Sequence, residues 1–308
     1  MAWLTNFKVL GLCLNRGPLR RPLTFLQMAT LLLLPVTLQI DSPVGRQSPP
    51  EATGKIQKQS QTQCDSPNAA VPLTSVAWSV LLALFKFGVL GSAVYLLSCN
   101  LNVFLKEYIY AVALYSLLGS FMDSSASIMS WLCGYELAPQ FNQPYLSTSL
   151  SDFWGKRWNI VASSCLRFLI YEPIFECRIV AGTKGTVAVS KQRRLVGMLA
   201  SFVSSGVVHE IMYWYISHLR PTGKWFVYFS VQGPLCIAEH LVKRWLKRHR
   251  IQPPAWLLVP VTNAALLLFA HFFFFPPVVD HGIADHVTKS VSRNFSLLAG
   301  LVTSPNSS

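Results

Sequence analysis

The long apolar runs decide what this chain can fold into. Ala77 to Leu97 carries a single charge, Lys86, and Tyr108 to Cys133 carries Asp123 near its middle. Leu195 to Ser217, Trp225 to Val242 and Trp256 to Phe275 are built the same way. A helix needs about 20 apolar residues to cross a hydrocarbon core, so each run is read as a spanning helix. In lipid the backbone must bond within the protein, which leaves helices or a closed barrel. A barrel would show short strands of alternating polarity, and the chain has none. The expected class is all-α: a polytopic integral membrane bundle, with Pro234 and Pro260 as expected kinks.

Composition agrees. Of 308 residues, 52% are hydrophobic and 13% charged, whereas a soluble domain carries about a quarter charged residues. The net charge of +13 collects between the runs, at Lys191-Gln192-Arg193-Arg194 and Lys243-Arg244-Trp245-Leu246-Lys247-Arg248-His249-Arg250. Loops of this kind face the cytosol. They would also attract anionic headgroups or a phosphate-bearing substrate. Membrane lipids are therefore the expected surroundings, and no nucleic-acid partner is expected. The seven cysteines are scattered without a CxxC, which suggests single buried thiols and no disulfide framework or zinc cluster.

Four regions follow. Residues 1–40 hold a short apolar stretch, a basic turn around Arg16, Arg20 and Arg21, and an apolar run from Leu23 to Ile40, read as re-entrant or spanning. Residues 41–72 are a polar linker too poor in large apolar side chains to order itself. Residues 73–277 form the transmembrane domain, and 278–308 a weakly apolar tail with sequons at Asn294 and Asn306. The loop charges place Gly134 to Arg194 on the cytosolic side and the tail on the lumenal side. Within Gly134 to Arg194, Ser149 or Ser151 can cap a short helix starting near Asp152, and amphipathic helices there should lie in the interface plane.

Two places could carry chemistry. His209 and Glu210 stand in an apolar run, where ionisable side chains are costly and usually functional. His209 would lie about 20 Å along its helix from the cytosolic end, at about 1.5 Å per residue. A neutral imidazole there can take a proton from a weak nucleophile. Glu210 points elsewhere around the helix and suits a bond to another helix or to a neighbouring group. A zinc-peptidase helix is excluded, because Tyr213 stands where a second His would be needed. His271 reads as a satisfied interhelical His, and Lys86 and Asp123 as a snorkelling cation and a satisfied polar contact.

The second place is Asp152-Phe153-Trp154-Gly155-Lys156-Arg157-Trp158-Asn159. Trp154 and Trp158, four apart, share a helical face suited to an interface. Lys156 and Arg157 can hold phosphates, and each equally suits an ordinary headgroup. Asn159 could donate to an oxyanion or simply meet water.

The string from Glu136 to Asn159, with Pro139-Gln140-Phe141-Asn142 and Pro144-Tyr145-Leu146, resembles the plant wax synthase family, a branch of the membrane-bound O-acyltransferases. Ser205-Gly206-Val207-Val208-His209-Glu210 resembles its second signature. Trp3-Leu4-Thr5-Asn6-Phe7-Lys8 with Gly17-Pro18-Leu19 resembles its N-terminal region. The resemblance runs from Trp3 to about Pro277. It implies a helical bundle in the endoplasmic reticulum membrane that moves a fatty acyl group from acyl-CoA to a long-chain fatty alcohol, or alternatively to a sterol, with acyl-CoA as co-substrate and no cofactor or metal. By motif position it makes His209 and Asn159 catalytic; the acyl-CoA head group is then expected near Trp154, Lys156, Arg157 and Trp158, with Asp152 and Glu210 supporting. It departs at one point: relatives carry further spanning helices ahead of the stretch that begins here at Trp3. Readings of another class are a transporter, which would show inverted repeats, and an inactive truncated scaffold.

Overall fold

The structure is a computed structural model that describes residues 2–20, 23–34, 73–133, 137, 139–181, 190–282, 284–285 and 288–294. The linker 41–72 and the sequon at Asn306 lie outside the described residues. The elements that the described residues form are all helices, in agreement with the all-α expectation.

Two antiparallel hairpins form the frame. α3 (Leu73–Leu97) and α4 (Val103–Cys133) pack along their length, and Asn102 starts α4 by accepting the Leu105 amide at 2.8 Å. α8 (Lys191–Ser217) and α9 (Lys224–Arg248) form the second hairpin. Its turn uses His218 and Gly223 in the left-handed region, φ 54° and 74°. Gly206 sets the spacing, since a Cβ there would meet the Phe226 carbonyl oxygen at 2.7 Å. A fifth long rod runs from α10 (Ala255–Phe269) through a π-helical turn, Ala270–Phe274, into α11 (Phe275–Asp280).

Among the described residues, three helical stretches are long and apolar enough to cross a membrane: Ala77–Leu97, Lys191–Ser217 and Ala255–Asp280. The sequence suggested five. α4 and α9 have the length, but their polar residues dilute them. Those residues find partners inside the protein: Asp123 pairs with Lys86, Glu107 with His271, Gln232 with Trp154, and Glu239 with the Leu150 amide. A polar group at that depth is tolerated when it is bonded so.

The N-terminal part is docked and short. α1 (Ala2–Cys13) lays Leu4 against Val161, Cys165, Phe168 and Leu169. Gly17, at φ +81°, lies so close to the Phe168 ring that a Cβ would touch it at 3.0 Å. Arg16 is buried and clamps this segment to α7 (Glu172–Glu176), bonding Glu176 at 2.7 Å, Glu172 at 3.3 Å and the carbonyls of Arg178 and Ile179. α2 (Phe25–Leu33) has a Thr24/Gln27 capping box and only 9 residues, about 13 Å of helix. The rest of that apolar run, residues 35–40, lies outside the described residues. The buried Lys8 side chain reaches its C-terminal end and donates to the carbonyls of Leu31 and Leu34. Cys165 and Cys236 are buried thiols, but Cys13, Cys99 and Cys177 are exposed, contrary to the expectation of buried thiols. Past Asp280, residues 288–294 are helical, so the tail is partly structured.

Candidate active site

The segment from Ser149 to Ile160 is held at both ends. Ser149 accepts the Asp152 amide at 3.1 Å and opens α5 (Leu150–Asp152). Glu239 of α9 accepts the amide of buried Leu150. The chain then widens into a π-helical turn, Phe153–Arg157, closed by the Trp158 amide on the Phe153 carbonyl at 2.9 Å. The Arg157 guanidinium spans this turn to Asp152 at 2.7 Å and reaches the carbonyls of Asn142 and Gln143, both at 3.3 Å. Two backbone bonds, Asn142 to Arg157 and Ile160 to Gln140, tie the same turn to the Pro139–Pro144 segment. Arg157 thus spends its Nε and Nη1 on holding the fold. Lys156 is exposed.

Asn159 stands at φ 42°, a left-handed conformation that Asn tolerates better than most residues. Its Oδ1 accepts the Ala162 amide at 3.1 Å and so caps α6 (Ile160–Leu166). The Asn159 Nδ2 remains as the donor side of this amide.

The two tryptophans turn inward, away from the interface position expected of them. The Trp154 indole donates to Gln232 at 3.1 Å, and Gln232 is fully buried. The Trp158 ring stacks on Phe153 at 5.4 Å and meets Phe141 edge-on at 5.0 Å. Both tryptophans, with Phe229 and Tyr228, wall a cavity of about 1280 Å³ that runs beside α3 and α4. A cavity of this size, mostly apolar and with a few polar groups, suits a lipid-sized ligand.

His209 is half-buried on α8. Its Nδ1 lies 2.8 Å from the Ser205 carbonyl oxygen. A carbonyl only accepts, so Nδ1 carries the hydrogen and, in the neutral ring, Nε2 holds the free lone pair. The imidazole stacks on Phe229 with centroids 3.6 Å apart and planes at 20°. Trp154 meets the same phenyl ring at 5.7 Å. The structure therefore joins the two signatures through one residue, Phe229. It does not put His209 or Asn159 among the residues lining the cavity; Phe229 stands between His209 and that space. Glu210 binds another helix. Its carboxylate accepts the amides of Gly223 at 2.6 Å and Phe226 at 3.0 Å, at the start of α9.

Residues missed in the sequence complete the picture. Gln232 and Phe229 lie inside an apolar run with no motif to mark them. Lys86 and Asp123 pair with each other and line the cavity, so Lys86 does not snorkel, while Asp123 makes the polar contact expected of it through Oδ2 alone. Gln140 is fully buried and neither of its amide atoms has a hydrogen-bond partner. His271 bonds Glu107 at 2.8 Å, the interhelical contact the sequence suggested for it.

Comparison with known proteins now decides the kinship. Residues 137–231 match the membrane bound O-acyl transferase family. An acyl-CoA–sterol O-acyltransferase of Arabidopsis thaliana is 30% identical over 90% of this chain and 72% of its own length. The chain belongs to the membrane bound O-acyl transferase family. A long-chain-alcohol O-fatty-acyltransferase of Simmondsia chinensis is 27% identical over 92% of this chain and 74% of its own length. A probable long-chain-alcohol O-fatty-acyltransferase of Arabidopsis thaliana is 32% identical over 60% of this chain, a stretch that spans 52% of that relative. The expected kinship with the plant wax synthases holds, and the family's membrane character agrees with the three spanning stretches. Membership in an acyltransferase family removes the ground for the transporter reading.

Proposed function

We propose that this protein transfers a fatty acyl group from acyl-CoA to the hydroxyl of a long-chain fatty alcohol, giving a wax ester and free coenzyme A. The observation that carries this reading is the His209 ring: Nδ1 held by the Ser205 carbonyl, Nε2 free, and the imidazole stacked on a ring of the cavity wall. His209 Nε2 takes the hydroxyl proton as the alcohol oxygen attacks the thioester carbonyl. The tetrahedral oxyanion accepts a hydrogen bond from Asn159 Nδ2. Its collapse forms the ester and expels the coenzyme A thiolate, which takes the proton from the imidazolium. Phe229, Trp154 and Trp158 keep water from the apolar chains, which matters because hydrolysis is the competing reaction.

The phosphates of acyl-CoA fall to Lys156 and to the basic end of the second hairpin. Lys191, Arg193 and Arg194 begin α8, and Lys243, Arg244, Lys247 and Arg248 end α9. Because the two helices are antiparallel, both clusters meet at one end, the cytosolic one. The Arg157 role is to hold the π-turn through Asp152. The proposed location is the endoplasmic reticulum membrane, in line with the wax synthase resemblance. A sterol acceptor is the second reading, favoured by the 30% identity to an acyl-CoA–sterol O-acyltransferase.

The test is ester formation by the purified chain from labelled acyl-CoA, with fatty alcohol or sterol supplied in turn. His209→Ala should abolish the ester while the protein still inserts in the membrane. Substantial turnover in that variant would overturn the assignment.

A further inference from the structure

We propose that Lys86 and Asp123 form a subsite that holds the hydroxyl of a lipid alcohol inside the cavity before that hydroxyl reaches His209, an inference that rests on the acceptor class proposed above. The pair bridges α3 and α4 and lies in the wall of the cavity, between apolar neighbours such as Leu82, Ala83 and Val89. Lys86 occupies room left by Gly119, where a Cβ would come within 2.9 Å of Nζ. The same ammonium sits 5.3 Å from the centroid of the Tyr115 ring, a cation–π contact that ties the pair to the aromatic wall beside Trp158.

The pair is incompletely satisfied. Asp123 Oδ1 is buried and has no hydrogen-bond partner, and such oxygens are rare and costly in folded proteins. The Asp123 side chain is nevertheless 24% exposed and Lys86 15%, so the cavity has access to it, and the carboxylate torsion is soft enough to swing Oδ1 toward a ligand. A hydroxyl matches both partners, because it donates to the carboxylate and accepts from the ammonium. A hydrocarbon offers neither bond. A fatty carboxylate can meet only the ammonium, because it has no hydrogen to give Asp123.

Position separates this subsite from the reacting one. Ala111 of α4 packs in the cluster that holds Trp154, Tyr228 and Phe229, the ring stacked on His209. Asp123 is twelve residues further along the same helix (111 to 123), about 18 Å at 1.5 Å per residue. A hydroxyl held at Asp123 cannot meet the thioester there. It is held on the way in, and the alcohol must slide along α4 to react.

Equilibrium binding of labelled hexadecanol and of labelled hexadecane to the full chain in detergent tests this. The Lys86→Met/Asp123→Leu variant removes both charges together, which a buried pair tolerates better than the loss of one. Hexadecanol binding should weaken roughly tenfold, about 1.4 kcal/mol, while hexadecane binding stays the same. Unchanged hexadecanol binding, or an equal loss for both ligands, overturns the proposal. If the double variant fails to fold, Gly119→Val crowds the ammonium out of its place and should give the same split. The measurement is repeated in a His209→Ala background. There the split should persist without any ester, so a failure of the transfer reaction and a failure of this subsite are read separately.

Discussion

Glu210→Ala is the perturbation whose cost the structure fixes most directly. The Glu210 carboxylate accepts two amides, Gly223 at 2.6 Å and Phe226 at 3.0 Å. Both belong to the start of α9, where amides have no partner within the helix. A hydrogen bond to a charged group is worth about 1.5–3 kcal/mol net, so two bonds at the lower figure come to about 3 kcal/mol. That corresponds to a more than hundredfold loss of protection at the first turn of α9, at about 1.4 kcal/mol per tenfold. Hydrogen–deuterium exchange in detergent, followed on peptides covering 219–230, reads it. Glu210→Gln keeps one carbonyl acceptor and should show about half the free-energy loss. The Phe229 ring lies less than one turn beyond Phe226 and supports His209, so ester formation should fall in the same order, Ala below Gln below wild type. If the Ala variant keeps both its amide protection and its ester formation, Glu210 does not anchor α9 and the link to His209 is wrong.

Arg16→Ala should free the N-terminal segment, because it breaks a buried clamp on Glu172, Glu176 and two carbonyls. The expected loss is about 3 kcal/mol, read as rapid proteolysis within residues 2–20; an unchanged digestion pattern refutes it. Gly206→Ala puts a Cβ 2.7 Å from the Phe226 carbonyl oxygen and should cost about 1–3 kcal/mol by overpacking, visible as a lower melting temperature. An equal or higher melting temperature would mean that α8 and α9 are not in close contact there. Burial lowers the Lys8 pKa from 10.5 to about 8, opposed by the nearby Cys165. Between pH 8 and the unfolded value the unfolded chain binds this proton and the folded chain does not, so stability should rise with pH across that window. The rise amounts to about 3 kcal/mol over the full interval, at about 1.4 kcal/mol per unit, and Lys8→Met should remove it. Parallel melting curves of wild type and variant from neutral to alkaline pH would refute that assignment.

The membrane class and the helical frame were legible because an apolar run of that length has few other uses. The number of spans was less so. α4 and α9 carry Glu107, Asp123, Gln232 and Glu239, whose partners come from distant parts of the chain, and no local pattern reveals those partners. His209, Asn159 and the tryptophan stretch stood out through motif and composition. The orientation of the tryptophans did not. A four-residue spacing predicts one face of a regular helix, but the turn at Phe153–Arg157 is wider than that. Phe229, which joins the two signatures, is one phenylalanine among 19, so only packing could single it out.

The wide turn at Phe153–Arg157 has a bearing on how this segment tolerates change. Removing any one residue between Asp152 and Trp158 would let the backbone relax to ordinary pitch. The bond that closes the turn would shorten from five residues to four, and the widened stretch of wall that carries Trp154 would be lost. The length of the stretch is as much a part of its specification as the identity of its rings.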